Sequence, residues 1–284
     1  MEKEKTITQK VKEFYETLPF NKCSKVYDRA ERITSNAVKL NYPDLDKLLT
    51  DQNNKSVLEI GCGTGWLSNT IGYNYDVNVV GVDLTAKALN DAQELSNMLK
   101  LSEKVKFVEA DLFSFDPGKQ FDVLVSMGVL HHTFNTQAAL YAIENFIRPG
   151  GFIYIGLYHY YGRKVFLKMF SDMVALYGEQ HAFDLFVKMS GKNQNDITFQ
   201  NSWFRDQVCH VHETQHTFEE VYGWLKNKGF KVISTSINKF QEIKSFPAIF
   251  KLEKQMTEIS YKKNYIEQNY FPGFFTIAAV KGYP

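Results

Sequence analysis

The residues best able to do chemistry lie in Val57-Leu58-Glu59-Ile60-Gly61-Cys62-Gly63-Thr64-Gly65, an apolar run carrying a carboxylate and ending in three alternating glycines. Glycines at this spacing let backbone approach a ligand, since no Cβ intervenes and positive φ is allowed. A pyrophosphate would require the dinucleotide pattern G-x-G-x-x-G, yet Trp66 and Ser68 stand where its last glycine should fall. Glu59 would also repel phosphate, which favours bare amides at a helix N-terminus. A cationic ligand would be drawn to the same carboxylate. Two further groups could move protons or hold ligands: His131, His132, Tyr158 and His159, and then Asp206, Cys209, His210, His212, Glu213 and His216. The second group could contact a substrate or bind a metal. Its Cys-His-x-His-Glu spacing matches no strong zinc pattern, so no metal ligand is assigned.

These side chains need elements to position them. Apolar runs at Ser56–Ile60, Asn78–Val82, Val105–Glu109, Phe121–Ser126 and Phe152–Tyr158 read as strands. They alternate with helical patterns starting near Thr64, over Thr85–Leu99 with Thr85 as a possible cap, and over 136–147. That alternation is the signature of an α/β fold with a parallel sheet. Amphipathic spacing predicts a helix over 7–20 and a second helical stretch through Tyr27 and Leu40, ending near Pro43. Regularity stops at 160. Two helix-like stretches follow, then a helix over 217–228 opened by Thr217, strands over 230–236 and 274–280, and an insertion at 238–270. The expected organisation is an N-terminal helical lid (1–50), a cofactor-binding core (51–159), a helical cap (160–216) and the rest of the core (217–284), interrupted by the second insertion.

Glu59, Gly61, Gly63 and Gly65 fit E/D-x-G-x-G-x-G without a gap, and with this motif the chain resembles the class I S-adenosylmethionine-dependent methyltransferases. Further stations agree: Val79-Val80-Gly81-Val82-Asp83, Glu109-Ala110-Asp111-Leu112, Phe121–Ser126 followed by Met127-Gly128-Val129-Leu130-His131-His132, and Arg148-Pro149-Gly150-Gly151. The resemblance covers about residues 55–156. It implies a Rossmann-like seven-stranded sheet and S-adenosylmethionine as cofactor. Glu59, Gly61, Cys62, Gly63, Gly65, Asp83, Leu84, Asp111, Leu112 and Met127 would hold it, with Asp83 accepting from the ribose diol and Asp111 from the adenine amine. Asp122 and the Arg148–Gly151 turn read as structural.

Methyl transfer from a sulfonium is an in-line displacement that needs alignment, and a base only when the acceptor is protonated. His131, His132, Tyr158 and His159, at the ends of strands four and five, and His210 in the cap are the candidate catalytic groups. The motif N/D-P-P-Y/F of relatives acting on amide or adenine nitrogens is missing; Ser126-Met127-Gly128-Val129 stands there. With 15% aromatic residues, a cap holding Tyr160, Tyr161, Phe166, Phe170, Trp203 and Phe204 suggests a small-molecule acceptor that is apolar or planar.

A net charge of +1 gives no global signal for nucleic acid or membrane. The three cysteines, Cys23, Cys62 and Cys209, form no CxxC pair and suit a reducing cytoplasm. No apolar run reaches the length of a membrane span. Two other readings stay open. One is an RNA (tRNA) methyltransferase, for which the 238–270 insertion is mildly basic; the other is a non-catalytic cofactor-binding partner subunit.

Overall fold

The computed structural model describes residues 2–191 and 195–283. Its seven strands are β1 (Ser56–Ile60), β2 (Asn78–Asp83), β3 (Val105–Glu109), β4 (Phe121–Met127), β5 (Ile147–Tyr158), β6 (Phe230–Thr235) and β7 (Phe274–Lys281). They form one sheet of order β3-β2-β1-β4-β5-β7-β6. Pairs from β3 to β5 are parallel, while β7 runs antiparallel to both β5 and β6. The order reverses between β1 and β4, and in an open parallel sheet a ligand crevice forms at the carboxyl ends there. Buried Val, Leu and Ile fill the central strands on both faces, as helix-covered parallel strands require.

The helices are α1 (Glu2–Thr17), α2 (Val26–Thr34), α3 (Ala37–Asn41), α4 (Pro43–Thr50), α5 (Trp66–Asn74), α6 (Ala86–Met98), α7 (Thr136–Ile143), α8 (Tyr160–Tyr177), α9 (Glu179–Ser190), α10 (Ile197–Val208), α11 (Phe218–Asn227), α12 (Phe246–Glu253) and α13 (Met256–Tyr261). One sheet face packs on α7, α11 and α12 through Leu140, Ile143, Val221, Leu225 and Ile249. The other packs on α4 and α5 through Leu45, Leu49, Leu67 and Ile71. Helices α8, α9 and α10 have an apolar cluster of their own, built from Phe166, Phe170, Phe186 and Phe204.

Three expectations need correction. The helical stretch through 27–40 is broken: Asn36 adopts φ 46° and caps α3 by accepting from the Lys39 amide, so α2 and α3 are separate. The stretch does end near Pro43, as α3 stops at Asn41, and Pro43 opens α4, where its missing N–H costs nothing at the first helical turn. Thr85 holds the N-cap position of α6 without capping it; its hydroxyl donates to Asp83 Oδ1 at 2.8 Å instead. Strand β5 also begins at Ile147, ahead of the Pro149-Gly150-Gly151 turn. Thr217 does cap α11, accepting from the Glu220 amide at 3.1 Å.

Candidate active site

Strand β1 delivers Glu59 and the glycine turn to the switch point. Gly61, Gly63 and Gly65 all take positive φ (75°, 51° and 73°), and their surroundings differ. A Cβ on Gly61 would lie 2.3 Å from Val129, and one on Gly65 2.6 Å from the Ala92 methyl. Gly63 would meet nothing within 4 Å. The outer two glycines are therefore packing requirements, and the middle one faces space. The turn is tied to β2 as Gly61 and Cys62 donate to the Val82 carbonyl (2.7 and 3.0 Å) and the Gly63 amide donates to Asp83 Oδ2 (2.8 Å).

The turn opens on a cavity of about 890 Å3, near the upper end of the range for small-molecule sites. Every residue expected to hold a cofactor lines it except Gly65: Glu59, Gly61, Cys62, Gly63, Asp83, Leu84, Asp111, Leu112 and Met127. Gly65 supports the turn from behind. Burial pushes the Glu59 carboxyl from its ordinary 4.5 up to about 8, with Ser68 Oγ donating to Oε2 and Asp83 adding like charge. Burial also raises Asp83, against the pull of Thr85 and the Gly63 amide. Asp111 Oδ1 accepts from the Phe113 amide at 3.0 Å. Among the described residues no Lys, Arg or His pairs with Glu59 or Asp83, and acids so placed beside a glycine with open space suit a ligand with positive charge and hydroxyls. The site fits S-adenosylmethionine on that ground.

The remaining cavity wall comes from Tyr15 on α1, Trp203, Asp206 and Gln207 on α10, His132 after β4, Tyr158 at the end of β5, and Tyr270 and Phe274 at the approach to β7. Asp206, 5% exposed, accepts from Tyr15 Oη and Gln207 Nε2, both at 2.7 Å. Gln207 also donates to Tyr158 Oη at 2.7 Å and accepts from Tyr270 Oη at 2.9 Å. Burial raises the Asp206 carboxyl to about 6, with Tyr15, Gln207 and Arg163 opposing. Arg163, fully buried on α8, donates twice to Glu213 (2.9 and 2.6 Å) and stacks 3.6 Å above the Tyr158 ring. Its charge is thereby matched outside the cavity.

Of the expected proton acceptors, the structure brings His132 and Tyr158 to the cavity and leaves His131, His159 and His210 off its wall. His159 Nε2 lies 2.9 Å from Glu253 Oε2, and the same carboxylate accepts from the Phe218 and Glu219 amides at the start of α11. That contact ties His159 to the start of α11 and sets it off the cavity wall that its strand-end position suggested. His131 lies beneath Tyr158, their rings stacked at 4.0 Å, and its Nδ1 accepts from the Tyr158 amide. Burial lowers the basicity of His131 well below normal, that of His132 to about 3 and that of His210 to about 2. Each therefore carries a single proton at neutral pH, and backbone contacts decide where. His132 Nδ1 donates to the His212 carbonyl at 2.8 Å, leaving a bare lone pair on Nε2. His210 Nδ1 accepts from the His212 amide at 3.1 Å, so its proton sits on Nε2.

His132, Asp206 and His210 offer atoms within 4.8 Å of one another; His210 Nδ1 is engaged by the His212 amide, so ligation through Nε2 would cost that hydrogen bond. The other members serve packing: Glu213 pairs Arg163, His212 Nε2 contacts the Thr133 carbonyl, His216 bridges Thr136 and Glu220, and Cys209 is an exposed free thiol. Asp122 is structural as expected, accepting from Lys55, Ser56 and Arg148. The sequence placed Asp206 in a cluster able to contact a substrate but missed Tyr15 and Gln207, because the spacing of α1 and α10 says nothing of where either helix docks.

A sheet of this order, a glycine turn after β1 and acids at the ends of β1, β2 and β3 define a Rossmann-like cofactor-binding protein. Residues 51–182, just under half of the chain, match a methyltransferase domain family. The chain is 28% identical over 163 residues to phosphoethanolamine N-methyltransferase of Triticum aestivum, covering 57% of this chain and 30% of that protein. It is 27% identical over 121 residues to ubiquinone biosynthesis O-methyltransferase of Shewanella pealeana, covering 42% and 49%. The chain thus spans about half or less of the length of these curated relatives. Magnesium protoporphyrin IX methyltransferase from Synechocystis PCC 6803, solved with bound SAH, shares the fold at TM-score 0.55 and 14% identity, covering 97% of this chain and 100% of that one. No helix among the described residues is long and apolar enough to cross a membrane.

Proposed function

We propose that this protein transfers a methyl group from S-adenosylmethionine to a small-molecule acceptor enclosed between the glycine turn and the helical cap. The observation that carries this reading is the continuity of the cavity, which runs from Gly63, Asp83 and Asp111 to Tyr15, His132, Tyr158 and Asp206. When bound, the sulfonium supplies an activated methyl group; the chain's own residues bind, align and exclude water. Glu59 and Asp83 supply negative charge and hydroxyl acceptors, Gly63 gives close backbone approach, and Met127 and Gly128 form the floor between the two halves. Helix α1 acts as a lid, held by the Tyr15–Asp206 hydrogen bond, and α8–α10 form the cap.

An enclosed aromatic wall favours a small acceptor over RNA. In the mildly basic insertion, Lys262 and Lys263 are already paired with Glu267 at 3.6 and 2.6 Å. The test is calorimetry with S-adenosylmethionine, followed by transfer of labelled methyl from the cofactor in a cell extract. Label in low-molecular-weight material supports the reading, and label confined to RNA or protein defeats it. Absence of cofactor binding would defeat every enzymatic reading.

A further inference from the structure

We propose that the acceptor is an amine, entering as its ammonium ion and recognised by Asp206 inside a ring of aromatic side chains. The inference rests on the methyltransferase reading above and adds the substrate's charge and nucleophilic atom.

The argument begins with a missing partner. Asp206 lies in the cavity wall, and among the described residues no cationic side chain comes within ion-pair distance of it. Its hydrogen bonds come from neutral groups, Tyr15 and Gln207. Arg163, the nearest fixed cation on α8, is committed to Glu213 and to the face of Tyr158. His132 and His210, the other titratable groups packed on this side, are neutral at physiological pH. A buried carboxylate left this way is costly unless a ligand brings the opposite charge.

The surrounding walls suit such a ligand. Tyr15, Tyr158, Trp203 and Tyr270 line the same end of the cavity, and aromatic faces attract a desolvated ammonium. The two neutral donors leave the carboxylate's charge uncompensated; an ammonium brings N–H donors together with the opposite charge, where a neutral hydroxyl brings a donor alone.

The chemistry balances. The ammonium gives one proton to the Asp206 carboxylate and becomes a neutral amine. Its nitrogen lone pair then forms the N–C bond as the donor's C–S bond breaks, the electron pair staying on sulfur. The product is an N-methylammonium, and the proton held by Asp206 leaves to solvent. Asp206 suits this role better than His132, because burial has removed most of the basicity of the imidazole.

The test uses the full chain saturated with S-adenosylhomocysteine and two probes of nearly equal shape, tyramine and 4-ethylphenol, with affinities read by calorimetry or ligand-detected NMR. The amine is expected to bind at least tenfold more tightly, and Asp206→Asn to remove that preference while leaving S-adenosylhomocysteine affinity within about twofold. Should the variant fold poorly, the wild-type preference measured from pH 7.5 down to pH 5 replaces it. Tyr15, Tyr158, Tyr270, His132, His210 and the Arg163–Glu213 ion pair surround the carboxylate; burial places Asp206 at about 6, inside that window, so the preference should fade as it protonates. Equal affinities, or no binding of either probe, overturn the proposal. So does a preference that survives both Asp206→Asn and acid pH, or an equal loss of S-adenosylhomocysteine affinity in the variant, which would assign Asp206 to the cofactor's own amine. Failure of the wild type to bind S-adenosylhomocysteine would instead remove the methyltransferase reading beneath it.

Discussion

Glu59→Gln tests the electrostatic reading of the glycine turn. Burial holds this carboxyl near pH 8 in the empty site, so only about a tenth of the molecules carry its charge at pH 7, and about nine tenths do at pH 9. If the charged form is what pairs with the cofactor's cation, wild-type affinity contains an ionisation cost of about 1.4 kcal/mol at pH 7 that vanishes by pH 9. The α-amino group of S-adenosylmethionine titrates in the same window, so the informative quantity is the ratio of wild-type to Glu59→Gln affinity. That ratio should grow about tenfold from pH 7 to pH 9, and wild type alone should release close to one extra proton per cofactor bound at pH 7. Calorimetry in buffers of different ionisation enthalpy reads both. The same group gives a stability signature of defined sign. Its folded pKa is raised, so it stabilises the empty protein fully below its ordinary 4.5 and loses that contribution as pH rises to about 8. Glu59→Gln should therefore gain on wild type between pH 5 and 8 by up to ~5 kcal/mol, a ceiling set by the shift itself. A flat affinity ratio together with a flat stability difference would refute the assignment of Glu59 as the cation's partner.

Other substitutions separate packing from chemistry. Gly65→Ala should cost about 1–3 kcal/mol in chemical denaturation through overpacking against Ala92 and Asn69. Gly63→Ala should cost only the ~1–2 kcal/mol of a left-handed alanine yet weaken cofactor binding, because its methyl would enter the cavity. Arg163→Met should destabilise by about 3–5 kcal/mol by stranding Glu213, and Arg163→Met with Glu213→Leu should recover much of that loss. His159→Ala should lower the Tm through its lost contact with Glu253 and leave turnover of the folded enzyme unchanged, whereas His132→Ala should lower turnover with little change in Tm. A drop in turnover for His159→Ala at unchanged Tm would reverse those two assignments.

What could be read from the chain was whatever depends on near neighbours. Strand β1 and the glycines after it are legible because an apolar run, an acid and a turn follow one another within nine residues. The acids Asp83 and Asp111 are legible because strand ends place them. The cap helices show their spacing, although not where they dock. Asn36 was invisible because an αL cap looks like any polar residue between two apolar stripes. The histidines are hard to read for a different reason: strand-end position suggests chemistry, but basicity depends on burial and on which backbone group takes each proton. His159 fell to Glu253, a residue 94 positions away. Asp206 gained its meaning from Tyr15, 191 positions away, a separation no local pattern reports.

The placement of β7 between β5 and β6 also bears on how the molecule is made. During synthesis β6 emerges before residues 274–281, yet its recorded pairing is with β7 alone. Until that last strand arrives, β5 and β6 each present an open edge and α11 covers an incomplete layer. Open strand edges invite association with other chains, so the nascent species is aggregation-prone until residues 274–281 have emerged and paired. Shortening β7 should accordingly reduce soluble yield far more than its eight residues would suggest, even though the glycine turn and its acids lie on strands completed long before.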